Sequence, residues 1–342
     1  SALLVGMLKG PAVYDPVVHP EAATMRRNTV LSVLERRGTI TAEEADAARE
    51  APLGIDRGSV PSSCGDSEYP FYCHLVREEI LTNPAFGATP EQRADRLSRG
   101  GMTLTTGLDR QAMESSRKAV TKALGDKNRA ALGVAVVEPG TGHVAAITQN
   151  RKWGKGKGAT EVVYATSEFQ VGSSMKPIVL GTALSQGVPA SQRYSANGPY
   201  YSPSLDDPVE GFHNYGYINH GSVDAYEAIR KSINVYFVRL IEQTGVVDVA
   251  KFAEMLGVTS LPTDKLSGRE ASLALGAYEI SPLEMANAYA SFVSGGVVCK
   301  PVTVVAGVRS DTGEKIPVPD ADCHQGIDPG VADTVADALK EP

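Results

Sequence analysis

The chain has 342 residues, 42% apolar, 21% charged and 6% aromatic, a globular composition that excludes disordered, collagen-like and coiled-coil classes. Its 33 Lys and Arg against 40 Asp and Glu give a net charge of -7, which leaves no basic surface to neutralise a row of phosphates and excludes nucleic acid as a partner. At about 100–200 residues per domain, the length predicts two domains or one large domain with an appendage.

Residues 1–52 read as helical. The chain opens on Ser1 within the apolar run Ala2 to Leu8, without the charged and apolar blocks of a signal peptide. We expect a segment cut from a longer protein, whose membrane contact would run through an anchor upstream. After the Gly10-Pro11 break, Pro20 suits the first turn of a helix that carries Met25, Val30, Leu31, Val33 and Leu34 at helical spacing and stops at Gly38. Thr41 and Glu44 have the spacing of a capping box, in which each side chain satisfies the other residue's free amide, and a short helix to about Glu50 follows. Residues 53–101 read as a loop-rich linker or small subdomain, with the charged stretch Glu91 to Arg99 as a solvated helix face.

From Met102 strands and helices mix. Met102 to Leu108 alternates as a strand, Asp109 caps a helix to about Leu124, and Ala131 to Val137 and His143 to Thr148 flank a Pro-Gly turn as an antiparallel hairpin. Helical patterns recur at 173–186, 223–244, 246–256 and 282–294. Val302 to Arg309 reads as a strand, with Lys315 to Val318 as its partner across a turn. No stretch approaches the roughly 18 uninterrupted apolar residues of a membrane-spanning helix.

The four cysteines fall as Cys64 with Cys73 and Cys299 with Cys323. Neither spacing is that of a zinc site, so two sequential disulfides in an oxidising compartment are expected, with four reduced thiols as the alternative. The six histidines form no ligand-like pair. His213 and His220 are candidates for the rim of a cleft, and Trp153 for either a rim or a partly buried position.

Chemistry concentrates in Gly172-Ser173-Ser174-Met175-Lys176-Pro177. If a helix starts at Ser173, Lys176 lies on the same face one turn on, close enough to touch the hydroxyl. Pro177 supports that start, because an opening-turn amide has no helical acceptor to lose. Serine is a poor nucleophile without a base, and a lysine whose pKa is lowered by desolvation can supply one. A second set, Lys231-Ser232-Ile233-Asn234, puts a hydroxyl and an amide two residues apart, which converge only on a turn between helices. Ser232 could then relay a proton, and the Asn234 amide could hold a substrate carbonyl or the lysine.

Taken together and in this order, these motifs resemble the first two active-site motifs of the penicillin-binding protein transpeptidases. Val134 to Gly142 resembles that family's first core hairpin, and Leu273-Ala274-Leu275-Gly276 and Ile280 to Ala290 resemble the stretch before its third motif. Residues 1–52 are similar to the last helices of the glycosyltransferase domain of bifunctional, class A members, and Phe212-His213-Asn214-Tyr215 is similar to actinobacterial sequences.

The resemblance implies an α/β (α+β) fold shared with serine beta-lactamases, an antiparallel sheet flanked by helices, preceded by a helical remnant at 1–52, a linker at 53–101 and the transpeptidase domain at 102–342. It implies Ser173, Lys176 and Ser232 as catalytic residues, Asn234 and Ser173 as substrate-binding residues, and no cofactor or metal. The implied partners are peptidoglycan stem peptides, beta-lactam antibiotics and cell-wall synthesis proteins, at the extracytoplasmic face of a bacterial membrane. The family's third motif, K-T-G or K-S-G, does not occur in the sequence; its expected place lies just beyond Val331 to Pro342, so a chain ending there is expected to acylate poorly. A serine beta-lactamase and a non-enzymatic beta-lactam sensor or scaffold are the alternatives; against the first, no E-x-x-L-N-like segment follows Asn234.

Overall fold

The structure, a computed structural model, describes residues 2–55, 63–126 and 128–340. Residues 56–62, inside the predicted linker, residue 127, and the chain ends at 1 and 341–342 lie outside the described residues. Two compact units follow one another, Ser1–Ser62 and Ser63–Pro342.

In the first unit, α1 (Ala2–Met7) precedes α2 (Pro20–Arg36), which has Pro20 in its first turn as predicted. The capping box at α3 (Ala42–Glu50) is formed: the Glu44 N–H donates to the Thr41 hydroxyl at 3.2 Å and the Thr41 N–H to the Glu44 carboxylate at 2.8 Å. Buried Arg27 joins α2 to the end of α3, donating to the carbonyls of Arg49 and Ala51 at 2.7 and 2.6 Å.

The second unit begins with one helix beyond those expected, α4 (Pro70–Thr82), between loop-like residues; α5 (Pro90–Arg99) is the helix expected over Glu91 to Arg99, and both start on a proline. Helix α4 is part of the packed body. It buries Phe71, Tyr72 and Ile80, its Tyr72 hydroxyl donates to the Val144 carbonyl at 2.7 Å, and its Glu79 carboxylate accepts from the N–H groups of Thr303 and Val304 at 2.9 and 3.0 Å. Helix α5 buries no residue, which agrees with its reading as a solvated face.

Strand β1 (Met102–Thr106) leads into α6 (Arg110–Ala123), capped by the Asp109 carboxylate, which accepts from the Ala112 N–H at 2.6 Å. The hairpin is β2 (Gly133–Val137) with β3 (Val144–Gln149), and every residue of β3 is buried. The expected sheet is divided into two-stranded pairs: β2 pairs with β3, β1 pairs with the strand Val304–Arg309, and one short pair, Lys152–Trp153 with Ala159–Thr160, is parallel. Register irregularities at Thr105/Thr106 and Val136/Val137 bend the two long pairs, and a bridge between His143 and Val302 joins them. The partner strand expected at Lys315 to Val318 shrinks to one bridge, Val308 with Lys315.

Among the described residues six further α-helices follow: α7 (Lys176–Ser185), α8 (Ala225–Arg230), α9 (Asn234–Thr244), α10 (Val246–Met255), α11 (Pro282–Val293) and α12 (Pro329–Ala338). Helices α6 and α11 pack on the hairpin. Helix α7 is buried from Lys176 to Ala183, so its Ile178, Val179 and Leu180 meet Phe237, Leu240, Ile241 and Phe252 in a helical core. Each such aliphatic side chain contributes about 1.5–3 kcal/mol, which fixes α7 and with it the residue at its start, Lys176.

Both sequential disulfides are present, Cys64–Cys73 at the start of α4 and Cys299–Cys323 across a 24-residue separation. A closed loop of that length stabilises by about 3 kcal/mol through the unfolded chain. Among the described residues no helix is long and apolar enough to cross a membrane.

Candidate active site

Ser173 sits in a tight 3-10 turn, Gly172–Met175, that runs directly into α7. Pro177 occupies the opening turn of α7, as the spacing predicted. The turn is held from two sides. Gly172 donates its N–H to the Gly276 carbonyl at 3.0 Å, and the Tyr289 hydroxyl, on α11, donates to the Ser174 carbonyl at 2.9 Å.

Gly276 has φ +71, and a Cβ there would stand 2.0 Å from the Gly172 carbonyl oxygen. Gly276→Ala is therefore expected to push the Ser173 turn out of place, lowering the rate of acylation at Ser173 at least tenfold and stability by about 2 kcal/mol. Stopped-flow acylation and thermal melting would check both. Gly276 and Tyr289 stand in the sequence only within the stretches that resemble the family, because their closeness to Ser173 arises only in the folded chain.

Lys176 is 1% exposed, yet its ammonium is fully used. It donates to the Ser232 carbonyl at 2.7 Å, the Ser232 hydroxyl at 3.0 Å and the Asn234 Oδ1 at 2.8 Å, with the Phe237 ring 5.6 Å away. Burial disfavours the charged form and pulls the lysine down to about 8 from its ordinary 10.5. The Ser232 hydroxyl in turn donates to the Ser173 hydroxyl at 2.8 Å.

The direct Ser173–Lys176 contact expected from the spacing is replaced by this relay. Ser173 belongs to the 3-10 turn, where its hydroxyl faces solvent, whereas Lys176 starts a buried helix and extends toward the N-terminus of α9, where three acceptors wait. Ser232 lies between the two.

Ser232 holds that place through an unusual backbone. It has φ +50 and ends α8 in a Schellman motif: its own N–H donates to the Ile229 carbonyl at 3.0 Å, and the Ile233 N–H to the Ala228 carbonyl at 2.9 Å. Glycine is the usual residue at this left-handed position; any other side chain costs about 1–2 kcal/mol there. The turn also breaks the single helix expected at 223–244 into α8 and α9, and lets Ser232 and Asn234 converge. Asn234 opens α9; its Oδ1 holds Lys176 and its Nδ2 donates to the His213 carbonyl at 3.0 Å. The amide thus holds the lysine, one of its two expected roles.

His213 therefore borders the cluster, and its ring packs against Tyr217 with centroids 4.6 Å apart. Trp153 does not: it packs edge-on against Phe71 and tilted against His74, with centroids 5.2 and 5.3 Å away, as a partly buried side chain. Among the described residues no group of three or more His, Cys, Asp or Glu side chains is gathered as metal ligands would be. A cavity of about 630 Å³ between α5 and the strand Val304–Arg309 holds none of the clustered groups.

A family model described as the penicillin binding protein transpeptidase domain matches residues 132–341. The chain belongs to that family. The matched span of this transpeptidase domain includes Ser173, Lys176, Ser232 and Asn234. Penicillin-binding protein 1B of Escherichia coli (strain K12) is 31% identical over 320 residues, 86% of this chain and 34% of that protein. Penicillin-binding protein 2D of Bacillus subtilis (strain 168) is 27% identical over 318 residues, 89% of this chain and 42% of that protein. The chain thus spans less than half the length of these curated relatives. Among solved structures, the PonA1 protein from Mycobacterium tuberculosis in complex with penicillin V matches with a TM-score of 0.63 at 26% identity, over 78% of this chain and 69% of that one.

Proposed function

We propose that this transpeptidase domain is a serine-type D,D-transpeptidase acting on peptidoglycan stem peptides, with Ser173 as nucleophile, Lys176 as base and Ser232 as the proton relay. The observation that carries this reading is the chain of short contacts from Ser173 Oγ through Ser232 Oγ to Lys176 Nζ, 2.8 and 3.0 Å long. With Lys176 neutral, the Ser232 hydroxyl turns to donate to its amine and accepts the Ser173 proton in the same movement. Ser173 Oγ bonds to the carbonyl carbon of the penultimate D-Ala, the C–N bond to the terminal D-Ala breaks, and the proton held at Lys176 returns through Ser232 to the leaving amine. An amine of a neighbouring stem then attacks the ester, forming a new C–N bond and releasing Ser173. The Ser173 N–H, in the first turn and so without a helical acceptor, supplies one donor to the oxyanion.

A beta-lactam would follow the first half of this path and stop, because its opened ring stays attached as the ester. PonA1, solved with penicillin V, supports that expectation by likeness. In the same reading residues 1–52 are the end of a glycosyltransferase domain, 53–101 a linker and 102–342 the transpeptidase domain, working at the extracytoplasmic face of a bacterial membrane with other cell-wall synthesis proteins.

Intact-mass measurement after benzylpenicillin tests it. One penicilloyl adduct, formed slowly by a chain ending at Pro342, mapped to the peptide that carries Ser173 and lasting for many minutes, is expected. Rapid continuous turnover of a chromogenic cephalosporin would instead make the protein a beta-lactamase, and an adduct on another residue would remove Ser173 as nucleophile.

A further inference from the structure

The segment joining the Ser173 helix to α8 carries a tip that the chemistry above leaves unused. Tyr215, Tyr217 and Ile218 are 93%, 71% and 55% exposed. They are nevertheless rigidly mounted. Asn214, buried beneath them, uses both ends of its amide: Nδ2 donates to the carbonyls of Ala196 and Ile218 at 2.7 and 2.9 Å, and Oδ1 accepts from the Val235 N–H at 3.0 Å. Asn234, which holds Lys176, donates to the next carbonyl back, that of His213. The tip is thus bolted to the first turn of α9, one hydrogen bond from the lysine.

Tyr217 has φ +59, following Gly216 at +66. A tyrosine in the left-handed region is strained, and at this exposure burial does not offset the strain. Two non-glycine residues with this backbone, Ser232 and Tyr217, therefore lie on the two segments that Asn234 ties together, one presenting a hydroxyl and the other an aromatic face.

Charge says what the face would hold. From Tyr194 to Ile229 there is no Lys or Arg. Of the carboxylates in that span, Asp206 pairs with Arg269 at 2.8 Å, Asp224 with Arg193 at 3.2 Å, Glu227 with Lys231 at 2.8 Å, and Asp207 accepts from the Ser202 N–H at 2.9 Å. Among the described residues no cation pairs with Glu210, whose backbone carbonyl lies 3.0 Å from the His213 ring that stacks on Tyr217. Exposed tyrosine faces and an unpaired carboxylate carried on one segment suit an aliphatic arm ending in an ammonium and disfavour an anionic ligand.

We propose that Glu210, Tyr215, Tyr217 and Ile218 form the docking lip for the amine-bearing acceptor peptide of the second half-reaction. This rests on the transpeptidase reading and adds to it the place where the acceptor is recognised, on the Asn234 side of Ser173.

The experiment uses the full chain, a thioester stem-peptide analogue as donor, and a synthetic stem tripeptide with a free side-chain amine as acceptor. Acyl transfer to the amine is measured against transfer to water, and acylation by benzylpenicillin, in which the acceptor takes no part, is read separately. Tyr215→Ser and Tyr217→Asn, the latter tolerated at positive φ, are each expected to raise the acceptor KM about fivefold, with Glu210→Gln similar, while penicillin acylation is retained. The N-acetylated tripeptide is expected to compete with the acceptor at least tenfold more weakly than an equal amount of unlabelled amine.

An unchanged acceptor KM alongside normal acylation would overturn the lip and leave the transpeptidase reading standing. A loss confined to acylation by the thioester donor would hand the lip to the donor and equally overturn the proposal. Absence of any Ser173 adduct in the unsubstituted chain, even after prolonged exposure to benzylpenicillin, would overturn the transpeptidase reading, and the lip with it.

Discussion

Lys176→Met is expected to lower the second-order rate of beta-lactam acylation about 10³–10⁴-fold, the range a positioned general base supplies. Methionine keeps the length and apolar volume of the side chain, so the helical core around α7 stays packed. What disappears is the amine proposed as the base at the end of the relay from Ser173. The loss should fall on the acylation step and leave initial non-covalent binding of the antibiotic nearly unchanged; stopped-flow kinetics separate the two.

The unsubstituted protein should show the corresponding pH dependence. Only neutral Lys176 accepts a proton, and burial places its pKa at about 8. The acylation rate should therefore rise tenfold per pH unit below 8 and level off above it, making pH 6 slower than pH 9 by about a hundredfold. A profile that levels off below pH 6 would transfer the base role elsewhere. The same displacement links folding to pH. A group with a folded pKa of about 8 against an ordinary 10.5 contributes stability above 10.5 that is lost as pH falls through 8, because the unfolded chain then binds the proton more readily.

Ser232→Gly is the second large effect, and its two consequences should point in opposite directions. Removing the hydroxyl breaks the relay between Ser173 and Lys176, so acylation should fall about 10²–10³-fold. Yet position 232 has φ +50 at the end of α8, where glycine is unstrained, so the melting temperature should hold or rise despite the greater freedom of the unfolded glycine. Ser232→Ala removes the same hydroxyl but keeps the strained Cβ, so it should be as slow as the glycine variant and less stable. Near-normal acylation in both variants would mean that Lys176 reaches Ser173 without an intermediary. Acylation rates and thermal melts on the two variants decide it.

Much of the local structure was legible because its causes are local. Pro20, the Thr41/Glu44 capping box, the Asp109 cap and the Pro-Gly hairpin each act within a few residues, and the structure shows them at those positions. Helices α4 and α12 were harder to read: α4 lies among loop-like residues and α12 near the end, and their places depend on burial against distant elements such as Val144, Thr303 and α7. The pairing of β1 with the distant strand Val304–Arg309 was not legible either, because pairing between strands far apart in the chain leaves no period in either one.

The candidate site divides in the same way. A serine three residues before a lysine at a helix start, and a hydroxyl two before an amide, are spacings within one turn, so the sequence by itself determined which residues are proposed for the chemistry and, through family likeness, which reaction is proposed for them. The order of proton contacts was decided by tertiary structure alone. Ser232 stands 59 residues from Ser173 and 56 from Lys176, and it comes between them only because α7 is buried against α9 and α8 ends in a left-handed turn. The lowered pKa of Lys176 has the same origin, since desolvation depends on what packs around a side chain and not on its neighbours in sequence.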